Sequence, residues 1–183
     1  MGFWFIHIRV PAEETYVQAD RRLAFQVLTA WGAAGPDGKR TARVLEKSGD
    51  RLLVEFHTSV SMLFGLKMVQ RTVEWVTLEE PGRIEFEGVQ GPLPVLLCRW
   101  SLEEWGDCLR FKYDATVALH GSILGWIFGI LYVRPTLRRM MREHLAELKE
   151  TIEARAARSR VFPQKPWPQE EGGTPAAREA QAA

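Results

Sequence analysis

The stretch that decides the architecture is Trp100-Ser101-Leu102-Glu103-Glu104-Trp105-Gly106-Asp107-Cys108-Leu109-Arg110-Phe111-Lys112-Tyr113. Apolar and polar residues alternate on both sides of a Gly-Asp turn signal, the pattern of a half-buried antiparallel hairpin. Centring the turn on Trp105-Gly106 sets Trp100 opposite Phe111 and Leu102 opposite Leu109, while Arg99, Ser101, Arg110 and Lys112 share the other face. One aromatic face and one charged face describe a sheet covered on one side and solvated on the other. In this register Cys98 falls opposite Tyr113 and Cys108 opposite Glu103. The two cysteines are then too far out of register to bridge, and they read as buried thiols in a reducing compartment.

Working outward from this hairpin, further turn signals recur at Ser48-Gly49-Asp50 and Glu79-Glu80-Pro81-Gly82, with alternating stretches such as Leu52-Leu53-Val54-Glu55-Phe56-His57-Thr58 between them. Centring the Pro81-Gly82 turn places Ile84 and Phe86 on the face of Val69, Val73 and Trp75, with Glu85 and Glu87 outward. The expected inner face is therefore rich in aromatics: Phe56, Trp75, Phe86, Trp100, Phe111 and Tyr113. Asp20 is the expected N-cap of a helix over Arg21 to Leu28. Near the C-terminus, Leu137, Met140, Met141, Leu145, Leu148 and Ile152 recur three to four residues apart as one apolar helical face, and Pro135 is expected to kink or break the helix ahead of it. Strands in succession followed by one amphipathic helix predict an α+β domain with a curved antiparallel sheet.

In such a meander alternate connections lie at opposite ends of the sheet. One end collects short polar turns. The other collects Ser61-Met62-Leu63-Phe64-Gly65, Gly91-Pro92-Leu93-Pro94 and the apolar run from Gly121 to Val133 with Trp126, Phe128 and Tyr132. Connections normally face water, so three apolar ones at one end call for an explanation. They form the mouth of an apolar cavity, touch a membrane or protein partner, or fold over each other to cap the core.

Composition narrows the classes. The chain has 183 residues, 46% hydrophobic and 26% charged, with 24 Lys and Arg against 23 Asp and Glu. A net charge of +1 excludes the strong basic excess of a typical nucleic-acid binder. The N-terminus lacks a basic n-region and a small-residue cleavage site, and a spanning helix needs roughly 20 apolar residues, more than any run here offers. A cytoplasmic location is the expectation. From Ser159 onward Pro, Gln, Glu, Gly and Ala dominate, so residues 159–183 are expected to be a disordered tail after a domain spanning 1–158.

Three segments carry a family resemblance. Val17-Gln18-Ala19-Asp20 leading into Arg21-Arg22-Leu23-Ala24-Phe25-Gln26-Val27-Leu28, the Trp100-Ser101-Leu102 to Gly106-Asp107 hairpin, and Pro135-Thr136-Leu137 through Leu145-Ala146-Glu147-Leu148-Lys149 resemble the START-like, or SRPBCC, superfamily, which includes polyketide cyclase/dehydrase and Bet v 1-like proteins. The resemblance runs from about Glu13 to Arg158. It implies a helix-grip fold, with short helices after the first strand and a sheet wrapped around the long C-terminal helix. It also implies binding of a lipid, sterol, polyketide or other apolar molecule between sheet and helix. Some members are aromatase/cyclases, others lipid-transfer, quinone-binding or protein-binding modules. No single catalytic motif belongs to the whole superfamily, so no catalytic residue is carried over.

The residues themselves point the same way. The four histidines, His7, His57, His120 and His144, show no zinc spacing, and no phosphate-binding glycine loop is present, so neither metal nor cofactor is expected. Parity puts Arg71 on the inner face, where a guanidinium needs a carboxylate, a ligand anion or a path to water. It is either the anchor of a ligand's polar head, or it snorkels to solvent, or a bulge turns it outward. The candidate ligand-binding set is Phe56, Thr58, Arg71, Trp75, Phe86, Trp100, Phe111, Tyr113, Trp126 and Met141. A carrier or sensor of a hydrophobic molecule is the first expectation. A cyclase or dehydratase using the same cavity is the second. The third is docking to a protein or a membrane through Met62, Leu63, Phe64, Trp126 and Phe128, helped by Arg134, Arg138, Arg139 and Arg142.

Overall fold

A computed structural model of the chain describes residues 5–31, 42–61, 67–92 and 95–159. It contains strands β1 (Phe5–Val17), β2 (Ala42–Ser48), β3 (Arg51–Ser61), β4 (Lys67–Glu79), β5 (Arg83–Gln90), β6 (Val95–Trp105) and β7 (Cys108–His120), with helices α1 (Arg21–Leu28), α2 (Ile123–Phe128) and α3 (Arg134–Arg158). The strands form one antiparallel seven-stranded sheet in the order β1-β7-β6-β5-β4-β3-β2, so the first strand closes against the last and the others follow as a meander. The curved sheet and the long helix packed on it make the helix-grip arrangement expected from the sequence.

Local chemistry sets the elements. The Asp20 carboxylate accepts from the Arg22 and Leu23 amides at 2.8 and 3.3 Å, which satisfies two of the free donors that open α1. Two-residue turns at Gly49-Asp50 and Gly106-Asp107 each place glycine at positive φ, near +60°, a conformation closed to most side chains. Pro135 stands at the first turn of α3 and does not break the helical path. Ahead of it, Gly129–Val133 forms a π-helical turn in which the Arg134 amide reaches back to the Gly129 carbonyl. Widening the ladder there accommodates a residue that has no amide hydrogen to give.

Two hairpin registers differ from those expected, with opposite consequences. Between β6 and β7 the turn is Gly106-Asp107, so Trp100 pairs with Tyr113, Leu102 with Phe111, Cys98 with Ala115 and Cys108 with Trp105. That shift of two residues along the strand leaves every side chain on its expected face, and both cysteines are unbridged as expected. Between β4 and β5 three residues, Glu80 to Gly82, separate Glu79 from Arg83, so Leu78 pairs with Ile84 and Val76 with Phe86. This is an error of one residue, and it turns Trp75 and Arg71 to the outer face. Val73 is buried where the partner strand β5 bulges at Val89, between the pairs Val73–Gln90 and Glu74–Gly88, and Val69 is exposed.

The core lies between the inner sheet face and the helices α1 and α3. It includes Val17, Phe25, Val54, Ile84, Phe111, Leu145 and Ile152, all nearly or fully buried. Two polar ties fix α3 across β1: Glu13 accepts from Arg142 at 2.8 Å and pairs with Arg138, and Glu153 accepts from the Gln18 amide at 3.0 Å. The outer face is a lattice of exposed ion pairs such as Arg83–Glu85–Arg99, as its charged parity predicts. Met62, Leu63, Phe64 and the expected tail from residue 160 lie outside the described residues.

Candidate functional site

The inner face carries a continuous row of rings. Trp31 after α1 meets Phe56 edge-on at 6.1 Å, Phe56 meets Phe86 at 6.1 Å, and Phe86 meets Trp100 at 4.6 Å. Trp100 then meets Phe111 and Tyr113 in T-shaped contacts at 5.9 and 5.8 Å. From α3, the His144 ring closes over the end of the row, 5.7 Å from Trp100 and 6.4 Å from Tyr113. Edge-to-face pairs of this kind add packing specificity to apolar burial.

Polar groups gather where the row meets α3. The Trp100 indole N–H is buried and has no hydrogen-bond partner among the described residues. It faces the Tyr113 hydroxyl closely enough to ease that group's ionisation slightly, without bonding to it. Among the described residues the Tyr113 hydroxyl donates to the Cys98 sulfur, at 3.9 Å. Burial raises the Tyr113 phenol well above its ordinary range and pushes the Cys98 thiol up to about 12. Both hold their protons at neutral pH, so neither is a nucleophile in this setting. Burial lowers His144, which favours the neutral imidazole.

Glu74 completes the cluster. Its parity on β4 matches that of Val76, opposite Val54 on β3 and Gly88 on β5, and only 8% of it is exposed. Its carboxylate accepts from the Thr72 hydroxyl at 2.8 Å, and burial raises its pKa. Its charge also disfavours ionisation of Cys98 and Tyr113, which places the three within electrostatic reach of one another. A carboxyl that is desolvated and has no cation beside it keeps its proton to higher pH and can then donate a hydrogen bond.

Of the expected site residues, Phe56, Phe86, Trp100, Phe111 and Tyr113 come together on this face. Met141 is buried beside them in a small cluster with Val10 and Ala115, against Cys98 and Tyr113. Arg71 does not join them: it lies on the outer face and its Nε donates to Glu55 at 2.7 Å, with the Glu55 carboxyl held below its usual range. The ligand-anchor role inferred for it from strand parity is thereby withdrawn. Trp75 is likewise on the outer face, where the Arg51 guanidinium lies 5.2 Å from its ring. Trp126 is on α2 and half exposed, away from the ring row. Thr58 lies in β3 opposite Gln70, and its side chain is outside the described residues. The sequence reading missed Glu74, Cys98, Trp31 and His144. His57 is exposed on the outer face and takes no part in the row.

Two shallow hollows lie elsewhere. One of about 450 Å³ on the outer sheet face includes Arg9, Trp75, Glu85, Leu97 and Asp114, and one of about 420 Å³ between β1 and α3 includes Glu13, Arg142 and Lys149. Among the described residues no group of three His, Cys, Asp or Glu side chains is placed to hold a metal ion.

With this geometry in hand, comparison with solved structures identifies the architecture. The chain is similar to TTHA0849 from Thermus thermophilus, with a TM-score of 0.64 at 20% identity over 83% of this chain and 100% of that one. It is similar to a Streptomyces aromatase/cyclase, Zhui, with a TM-score of 0.56 at 17% identity over 93% of this chain and 100% of the other. A START superfamily protein from Mycobacterium smegmatis matches with a TM-score of 0.55 at 16% identity, over 84% and 97% of the two chains. No family model and no curated protein matches the sequence. The chain has the START-like helix-grip fold, and at these identities the likeness concerns the fold alone.

Proposed function

We propose that the protein reversibly binds an apolar small molecule between the aromatic sheet face and α3, as a carrier or sensor. The observation that carries this reading is the buried Trp100 N–H without an acceptor, set among aromatic rings. Buried donors in a finished core are paired, and each one left open costs about 1–3 kcal/mol. An open donor inside an apolar row is the expected appearance of a site whose last partner arrives with the ligand. Affinity would come from apolar burial at about 25 cal/mol per Å². The fold supports the same reading, since the similar structures include a START superfamily protein and an aromatase/cyclase.

The test is native mass spectrometry of the purified protein followed by organic extraction. A co-purifying apolar compound, released chemically unaltered, is the expected result. Release of a dehydrated or cyclised product from an added precursor would move the protein to the enzymatic alternative. An empty protein that ignores a panel of apolar dyes would sink the binding reading.

A second reading rests on α2. Gly129 presses against β1 and β7, where an added Cβ would stand 1.9 Å from Ile8 Cδ1 and 2.8 Å from Leu119 Cδ1. That close approach supports the apolar face of α2 being turned outward, with Ile123 79% and Leu131 73% exposed beside Trp126 and Phe128. Residues 121–142 hold four arginines and no carboxylate. Exposed aromatic and aliphatic side chains next to cations suit an anionic membrane surface, where each cation is worth about 1 kcal/mol. Co-sedimentation with phosphatidylglycerol-containing vesicles, weakened by Leu131→Ser and by salt, is the expected outcome. Equal indifference to anionic and neutral vesicles would remove this reading.

A further inference from the structure

We infer that Glu13 restrains the cationic part of the α2–α3 surface, and that an anionic lipid surface docks there by drawing Arg138 and Arg142 away from it. The inference rests on the membrane reading of α2 above and adds how docking at that surface is regulated.

The spacing of the sequence builds one stripe. Ile123, Ile127, Leu131, Arg138 and Arg142 follow one another in steps of four, four, seven and four residues along the helical run from α2 into α3. Four-residue steps drift forward on a helix of ~3.6 residues per turn, and the wider π-helical turn at Gly129–Val133 takes up the drift. The five side chains therefore stand on one side of the run, beside the core face that carries Gly129, Met141 and Leu145. The first three are exposed aliphatics and the last two are guanidiniums. A free phosphate has no use for the aliphatic half. The stripe as a whole fits a lipid surface, with acyl chains at one end and headgroups at the other.

The cationic half is already engaged. β1 bulges at Pro11 and Ala12, between the pairs Val10–Ala115 and Glu13–Tyr113. The extra residue changes the phase of the strand, so Glu13 faces inward like Val10 three positions earlier. A carboxylate turned inward needs cations, and it takes two: Arg142 donates to it at 2.8 Å and Arg138 pairs with it. Burial raises the Glu13 carboxyl, but the hydrogen bonds from Arg142 and Arg138 outweigh burial and hold it below its usual range, ionised at neutral pH. Its side chain is 12% exposed, against 45% for Arg138 and 59% for Arg142. The guanidiniums can thus turn to a phosphate outside, and Glu13 cannot follow. Arg139 is engaged as well, by Glu143 one turn on. Headgroup phosphates and Glu13 compete for the same donors, so the tie between β1 and α3 weakens docking, and docking loosens the tie.

The experiment measures co-sedimentation of the full chain with phosphatidylcholine vesicles and with vesicles that also contain phosphatidylglycerol. The proteins are wild type, Glu13→Gln, Arg138→Gln with Arg142→Gln, all three substitutions together, and Glu46→Gln. Glu46 is exposed on β2, so its loss changes the net charge equally and frees neither arginine. Glu13→Gln is expected to bind the anionic vesicles about fivefold more tightly than wild type, the worth of one uncompensated cation, with a steeper dependence on salt. Glu46→Gln is expected to match wild type. Adding Glu13→Gln to the double arginine variant is expected to change nothing. Equal binding of wild type and Glu13→Gln to anionic vesicles overturns the restraint and leaves docking in place. So does the same gain from Glu46→Gln, or a gain from Glu13→Gln without the two arginines. An equal gain on pure phosphatidylcholine would come from a loosened core and not from freed cations, and it also overturns the restraint. If neither wild type nor Glu13→Gln prefers anionic vesicles, the docking reading falls and the restraint falls with it.

Discussion

Glu74 gives the sharpest test of how the interior is built. Its folded-state pKa lies above the ordinary 4.5, because burial outweighs the help of the Thr72 hydroxyl. For a carboxyl raised on folding, the folded state holds the proton more firmly than the unfolded state. The associated stability is therefore complete below pH 4.5 and is lost as pH rises through the folded-state value. Above that point the protein carries a carboxylate that is 8% exposed, with a single protein hydrogen bond among the described residues. Replacing it by Gln keeps an oxygen to accept from Thr72 and removes the charge. Relief of a partly compensated buried charge is worth about 1–3 kcal/mol, and for a chain of this length each kcal/mol moves Tm by about 2–4 °C. Urea and thermal denaturation of wild type and Glu74→Gln at pH 5 and pH 8 are the assays. The variant is expected to gain on wild type from pH 5 to pH 8, with a Tm several degrees higher at the upper pH. A variant less stable at both values, by a pH-independent amount, would mean that the carboxylate has a favourable partner and that the account of the cluster is wrong.

Other consequences follow from the same geometry. Phe111 is fully buried and meets Trp100 edge-on, so Phe111→Ala should cost about 3–5 kcal/mol in urea unfolding; a loss below about 1 kcal/mol would mean that the ring row is not part of the folding core. Arg71→Ala should leave the affinity for apolar dyes unchanged, because the guanidinium points to Glu55 on the outer face; a tenfold loss would restore it as a ligand anchor. The Cys98 thiol, pushed up to about 12 by burial, should resist iodoacetamide at pH 8 in the folded protein and react once urea is added. Rapid alkylation of Cys98 in the native state, located by peptide mass spectrometry, would contradict its burial.

The fold was legible because its strongest signals are local and redundant. Asp20 caps α1 where the sequence placed the helix, and the spacing of Met141, Leu145 and Ile152 gives the face that α3 buries. The ring row was legible only in part, and the reason is arithmetic. Around Gly106-Asp107 the assumed register was wrong by two residues, which preserves parity, so Trp100, Phe111 and Tyr113 were correctly turned inward. Around Pro81-Gly82 it was wrong by one, which inverts parity. The sequence Val73-Glu74-Trp75-Val76-Thr77-Leu78 offers no warning, since Val73 and Trp75 are as apolar as Val76 and Leu78. Opposite the β5 bulge at Val89, Val73 and Glu74 are both buried, which conceals the phase further. Alternation selects a face only where one set of residues is clearly polar, and β4 supplies large apolar side chains in both sets. The available discriminator was the partner strand. With Ile84 and Phe86 fixed inward, a three-residue turn forces Val76 and Leu78 inward with them, and Glu74 follows two positions before Val76. Reading the turn length before the strand exchanges Arg71 for Glu74 on the inner face, so the ionisable group that β4 turns toward the core is an acid and not a guanidinium.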